Sequence, residues 1–247
     1  MIAVVSSSKA ANVVIPNYGG GGTGGTGGCE RMNGTFCFDW VRRNWGGLLW
    51  PSLVQHVVLT VIAVSIGFLI ATALALAAYR FRRLERPFGI GSAVLYTIPS
   101  LALFQLLVPI TGLTRTTAEI ALVGYTLLIL FRNILTGLRE VPAEVRDTAR
   151  GMGMTPRQSL LRVELPLALP AIMAGLRIAT VTVISLATVA AYVSNEGLGR
   201  PIFEAIGQNV FKTELIAAGA LAVLLAVFAD LLLVGAQRLL TPWARTR

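Results

Sequence analysis

Val57 to Tyr79 is a run of 23 residues without one charged side chain. A helix of that length rises about 35 Å, enough to cross the ~30 Å hydrocarbon core of a bilayer. Four further apolar stretches are of similar length: about Phe88 to Ile110, Thr116 to Thr136, Leu167 to Val193 and Leu215 to Gln237. Arg132 interrupts the third near one end, the fourth carries Arg177 and the fifth Asp230. Only 13% of the chain is charged, against about 25% in soluble domains. These features predict an all-α, polytopic membrane protein with about five transmembrane helices. Residues 1–50 form an N-terminal tail and interfacial segment, 51–243 the transmembrane domain and 244–247 a short C-terminal tail.

The net charge of +9 comes almost entirely from arginine, the only lysines being Lys9 and Lys212. In a soluble protein this would suggest nucleic acid, but here the arginines sit at the ends of the apolar runs, so nucleic-acid binding is not expected. One side of the membrane receives Arg80, Arg82, Arg83, Arg86, Arg139, Arg146, Arg150, Arg157, Arg162, Arg238, Arg245 and Arg247, and the other side's loops only Arg115, Arg200 and Lys212. Lys9, Arg31, Arg42 and Arg43 in the N-terminal tail weaken the contrast without reversing it. The positive-inside rule then predicts a plasma (inner) membrane protein with its N-terminus outside and the connection between spans three and four in the cytoplasm.

The apolar patch within residues 1–16 is short and lacks a basic n-region, so it does not read as a signal peptide. Residues 19–28, GGGGTGGTGG, form a low-complexity linker. No Lys-Ser or Lys-Thr follows these glycines, Lys9 is followed by alanine, and Lys212 is preceded by Phe211. The chain therefore has no Walker A motif and is not expected to bind ATP by that route. Trp40, Trp45 and Trp50 suit the headgroup interface, and His56 reads most simply as an interfacial polar residue. Cys29 and Cys37 do not make a four-ligand zinc set with a single histidine; they either pair or remain two separate thiols.

The polar insert DTARGMGMTPRQSLLRVELP, residues 147–166, stands out among these apolar runs. Pro142 suits the first turn of a helix, Gly151 and Gly153 break that helix, and Pro156 can open another. The pattern predicts a helix–turn–helix elbow leading into span four. Asp147, Thr148 and Ala149 are followed after three residues by Gly153, and after nine more by Val163, Glu164, Leu165 and Pro166. This stretch resembles the EAA loop of ABC importer permeases, whose pattern is Glu-Ala-Ala, three residues, Gly, nine residues, Ile, any residue, Leu-Pro. ARGMGMT, VELPLALPAIMAGLR and TIPSLAL are similar to the glycine betaine/choline/carnitine osmoprotectant subfamily, over about residues 51 to 243. The resemblance implies ABC ATPase subunits, a second permease chain of the same or a homologous kind, and an extracytoplasmic substrate-binding protein as partners. It implies no cofactor in this chain, with ATP and magnesium on the partner ATPase. Asp147, Thr148, Ala149, Gly151, Gly153, Leu165 and Pro166 become the expected ATPase-coupling residues, the coupling helix spanning about Pro142 to Gly153.

Inside the membrane, Pro99 and Pro109 interrupt span two, so Thr97, Pro99 and Ser100 either line a pathway or mark a kink used for packing. Asp230 is an acidic side chain well inside a span, and a gate or ion-pair role is the default reading. Arg177 is its candidate partner, unless Arg177 snorkels to the interface. Tyr96, Phe104, Tyr125 and Tyr192 are the aromatic residues in spans that could face a quaternary ammonium ion. The competing readings are an ion-coupled secondary transporter using Asp230, a membrane-embedded enzyme, and an importer permease for methionine or a sulfonate. The enzyme lacks its chemistry, because the sequence holds one histidine and no HExxH.

Overall fold

The structure, a computed structural model, describes residues 29, 33–207 and 211–243. The glycine-rich stretch 19–28, the basic residues Lys9, Arg31, Arg245 and Arg247, and the expected tail 244–247 lie outside the described residues. Every regular element among those described is helical. α1 (Phe38–Asn44) leads through a π-turn (Trp45–Leu49) into α2 (Trp50–Arg80). α3 (Glu85–Thr97) and α4 (Ser100–Thr111) follow, then α5 (Arg115–Arg139), α6 (Ala143–Gly151) and α7 (Pro156–Ser159). A second π-turn (Leu160–Glu164) opens α8 (Leu165–Ser194), and α9 (Gly199–Gly207) and α10 (Lys212–Leu240) complete the chain.

α2, α5, α8 and α10 are each long and apolar enough to cross a membrane. Every one extends past its sequence-predicted limits, because polar end residues continue the helix into the interface. The second predicted span is not one helix. α3 and α4 together pass the same length and composition test but are bent by 99°. Pro99 supplies no amide hydrogen and excludes helical geometry at the residue before it; Ile98 is extended accordingly, at φ −67° and ψ 128°. The Tyr125 hydroxyl donates to the freed Ile98 carbonyl. Pro109, by contrast, stays within α4.

α5 forms the centre of the bundle, between α2 and α8. In lipid, helices associate through close packing of small residues, and α2 buries Ala63, Gly67, Ala71, Ala75 and Ala78 along one face. A Cβ at Gly67 would run into the Thr126 side chain of α5. On the other flank, a Cβ at Gly137 would stand 2.8 Å from that of Ala171, and one at Gly175 would stand 2.5 Å from that of Asn133. Leu122, Leu130, Phe131, Ile134 and Leu138 of α5 fill the space between these close approaches.

His56 is not interfacial. It is fully buried, its Nε2 donating to the Ile184 carbonyl at 3.0 Å and its Nδ1 accepting from the Leu198 amide at 3.2 Å. This neutral tautomer ties α2 to α8 and to the loop before α9, where Gln55 also accepts from the Gly197 amide at 3.1 Å. Trp45 and Trp50 are exposed as interfacial residues would be, whereas Trp40 is buried edge-on against Phe211. Cys29 and Cys37 form a disulfide, and Cys37 joins Trp40, Leu49, Ala205, Phe211 and Ala217 of α10 in a small core.

Candidate functional site: the elbow at the arginine-rich end

The insert between α5 and α8 folds as a capped elbow whose turns are dictated by its own residues. Pro142 does not enter the first helical turn; it stands just before α6 with extended backbone, ψ 143°. α6 then ends in a Schellman arrangement: the Met154 amide donates to the Ala149 carbonyl at 3.1 Å, with Gly153 left-handed at φ +79°. Gly151 has no such backbone and is simply the last helical residue. Thr155 and Gln158 form a reciprocal capping box, Thr155 Oγ1 accepting from the Gln158 amide at 3.3 Å and Gln158 Oε1 from the Thr155 amide at 2.9 Å. Pro156 occupies the first turn of α7, where its missing amide hydrogen is harmless.

Leu165 and Pro166 open α8 immediately after the π-turn. The Leu165 amide reaches the Leu160 carbonyl, five residues back. Widening the turn here gives the Pro166 ring room against the preceding carbonyls, and the same arrangement precedes Pro51 at the start of α2. α7, the π-turn and α8 thus form one helical body from Pro156 to Ser194.

α6 presents two faces. Glu144, Asp147, Thr148 and Gly151 are exposed on one, Asp147 lying 3.4 Å from Arg150. Ala149 is buried on the other, so of the expected triplet only Asp147 and Thr148 are open to a partner. Beneath the elbow lies a polar node that the sequence did not reveal. The Tyr79 hydroxyl at the end of α2 donates to the buried Glu164 carboxylate; Ser159 Oγ donates to Glu164 Oε1 at 2.8 Å; and Arg146 Nη1 donates to the Tyr79 hydroxyl at 3.3 Å. The node links the first span, α6 and the root of α8. Its only trace in the sequence is a glutamate directly before the Leu-Pro that opens an apolar run.

The remaining candidates fall into two groups. Arg177 of α8 does not snorkel; it grips Asp230 of α10 with two parallel bonds, Nε to Oδ1 at 2.8 Å and Nη2 to Oδ2 at 3.0 Å. Each side chain remains about one-third exposed, at 34% and 32%. Thr97, Pro99 and Ser100 gather at the bend of α3 and α4, Thr97 Oγ1 donating to the Val94 carbonyl at 2.9 Å. At that bend Tyr96 meets Tyr125 edge-on with ring centres 6.0 Å apart, and Phe104 is buried in the same core as Tyr125. Tyr192 packs instead on Phe203, so the four aromatic residues do not converge on one cage. At the opposite end from the elbow, Arg115 approaches Glu119 at 3.6 Å and Glu196 at 3.8 Å, tying the start of α5 to the end of α8.

Residues 63–246 match the model of the family described as binding-protein-dependent transport system inner membrane component. The choline transport system permease protein OpuBB of Bacillus subtilis (strain 168) is 37% identical over 210 residues, covering 83% of this chain and 93% of that protein. The glycine betaine/carnitine/choline transport system permease protein OpuCB of the same organism is 35% identical over 203 residues, covering 80% and 90%. Among solved structures, an inward-facing conformation of the MetNI methionine ABC transporter matches with a TM-score of 0.72 at 23% identity, over 81% of this chain and 98% of that one. The last likeness is one of fold.

Proposed function

Because the chain belongs to the family of binding-protein-dependent transport system inner membrane components, we propose that it is the permease subunit of an ATP-driven importer for quaternary amines of the glycine betaine, choline and carnitine type. The cargo reading is supported by the names of relatives that are 37% and 35% identical to this chain over alignments covering most of their length. The arginine-rich end faces the cytoplasm and the disulfide-bearing end faces outside. Separate ATPase subunits, which carry ATP and magnesium, dock onto the exposed face of α6. A second permease chain completes the pathway, and an extracytoplasmic binding protein delivers the cargo.

The observation that carries this reading is the elbow. Its left-handed glycine and capping box fix the orientation of α6, and its continuity with α8 turns any push on α6 into a tilt of that span. Gly153 permits the turn, while Asp147, Thr148 and Gly151 offer the docking face. Ala149 anchors the helix from beneath, and Leu165 and Pro166 pass the motion on. Arg177 and Asp230 form a lock between α8 and α10 on the route of that tilt, and the bend at Thr97, Pro99 and Ser100 contributes to the pathway.

The test is reconstitution of the chain with its ATPase and binding protein in proteoliposomes, following labelled glycine betaine and choline. Accumulation that requires both ATP and the ATPase subunit is expected. Accumulation driven by an ion gradient without that subunit would overturn the reading. Uptake of methionine or a sulfonate in place of the quaternary amines would keep the transporter class and replace the cargo.

A further inference from the structure

A cavity of about 380 Å³ lies between the end of α2 and the elbow. Five arginines line it, Arg80, Arg82, Arg139, Arg146 and Arg150, against one carboxylate, Glu164. Glu164 is already engaged by Tyr79 and Ser159, Arg139 holds Glu85 in a two-bond pair, and Arg150 leans on Asp147. Arg80, Arg82 and Arg146 form no ion pair with any described carboxylate, so three guanidinium groups share one concavity whose single lining carboxylate is the already engaged Glu164. Leu76, one turn up α2 from Arg80, and Leu160 give the same cavity an apolar side.

We infer that this cavity is a binding site for a phosphate group, contributed either by an anionic phospholipid headgroup or by a soluble phosphate. The guanidinium fork suits phosphate oxygens in two-bond geometry, and three guanidinium groups without an ion pair offer one multi-oxygen anion several donors at once. Arg80 ends a membrane-spanning helix, which sets the cavity at headgroup depth, where basic pockets between spans take anionic lipids. Leu76 and Leu160 give acyl chains a way out toward hydrocarbon. Glu144, Asp147 and Thr148 of the proposed docking face do not line the cavity, whereas Arg146 and Arg150 of the same helix do, Arg150 also reaching Asp147 at its edge. The inference requires the chain to span a membrane but depends on neither its cargo nor its ATPase.

The test compares the permease–ATPase complex with two double variants, R80Q/R82Q in the cavity and R83Q/R86Q beside it, which lose the same charge. Native mass spectrometry reads retention of phosphatidylglycerol against phosphatidylcholine, and calorimetry reads binding of inorganic phosphate. Preferential retention of phosphatidylglycerol is expected, weakened on the order of tenfold by R80Q/R82Q, unchanged by R83Q/R86Q and only partly kept by R80K/R82K, which restores the charge without the fork. If inorganic phosphate alone separates wild type from R80Q/R82Q, the site stands and its occupant is soluble. Equal losses in both glutamine variants, or no loss with either probe, would overturn the inference. So would loss of ATPase co-purification by R80Q/R82Q with both probes still bound, because the arginines would then serve the ATPase.

Discussion

Gly151 and Gly153 stand two residues apart, and the structure predicts opposite consequences for replacing them. Neither would meet an atom of this chain within 4 Å on gaining a Cβ, so crowding inside the chain is removed from the comparison and its backbone energy remains. Gly153 sits at φ +79°, where an L-residue with a side chain costs roughly 1–2 kcal/mol and a β-branched one is a clear outlier. Gly153→Val should therefore oppose the Schellman turn by about that amount, a factor of roughly 5–30 in the population holding α6 in its docked orientation. Gly153→Asn should lose much less, since asparagine tolerates the left-handed region. Gly151 is helical, so Gly151→Ala should instead favour the helix by up to ~1 kcal/mol. The assay is the ratio of cargo accumulated to ATP hydrolysed by the reconstituted complex. That ratio should fall for Gly153→Val, recover substantially in Gly153→Asn and hold or rise in Gly151→Ala. Wild-type coupling in Gly153→Val, or no recovery in Gly153→Asn, would refute the claim that a left-handed turn orients the coupling helix.

Glu164→Gln removes a buried charge that accepts bonds from Tyr79 and Ser159; at about 1.5–3 kcal/mol for a bond to a charged group, thermal stability and coupling should both drop, and coupling unchanged at full expression would dissociate the node from force transmission. Gly67→Val forces α2 away from Thr126 and should cost about 1–3 kcal/mol by overpacking, read as a lower melting temperature that Thr126→Ala partly restores. Asp230→Asn leaves Arg177 without its counter-charge and should reduce transport, while the exchange Arg177→Asp with Asp230→Arg should recover part of it; normal uptake by Asp230→Asn would make the pair dispensable. A membrane-impermeant maleimide added outside intact cells should label Cys29 and Cys37 only after a reductant, and labelling confined to inverted vesicles would reverse the proposed orientation.

The long elements were legible because lipid imposes a length and an apolar composition that no other environment demands. The bend at Ile98 was legible only as a proline. Whether a proline kinks a span gently or folds it by 99° depends on whether another group accepts or donates at the broken ladder, and here the Tyr125 hydroxyl does so from a helix 27 residues onward. His56 misleads for the same reason: a histidine at the mouth of an apolar run looks interfacial until its two distant partners, Ile184 and Leu198, are known. α9 was missed because nine residues are too few to register as a span. In the elbow, conversely, the left-handed glycine, capping box and prolines act over two to five residues, so the turn could be read from its own letters. Glu164 could not, because its partners come from α2 and α7.

That node changes how the elbow can act. If Leu165 and Pro166 were the sole attachment, a push on α6 would move α8 alone and leave the rest of the bundle to follow passively. The chain from Arg146 through Tyr79 to Glu164 and Ser159 attaches the same lever to the end of α2 as well. α2 and α8 each pack against α5 at glycine positions where a Cβ would not fit, and against each other where His56 meets the Ile184 carbonyl. On the proposed coupling, displacing α6 moves α2, α5 and α8 together, while α10, the least buried of the four membrane-length helices, packs on α8 and is tied to it by the part-buried Arg177–Asp230 pair. On that reading the boundary of motion in one chain falls between α8 and α10, and the Arg177–Asp230 pair is the charged contact that crosses it.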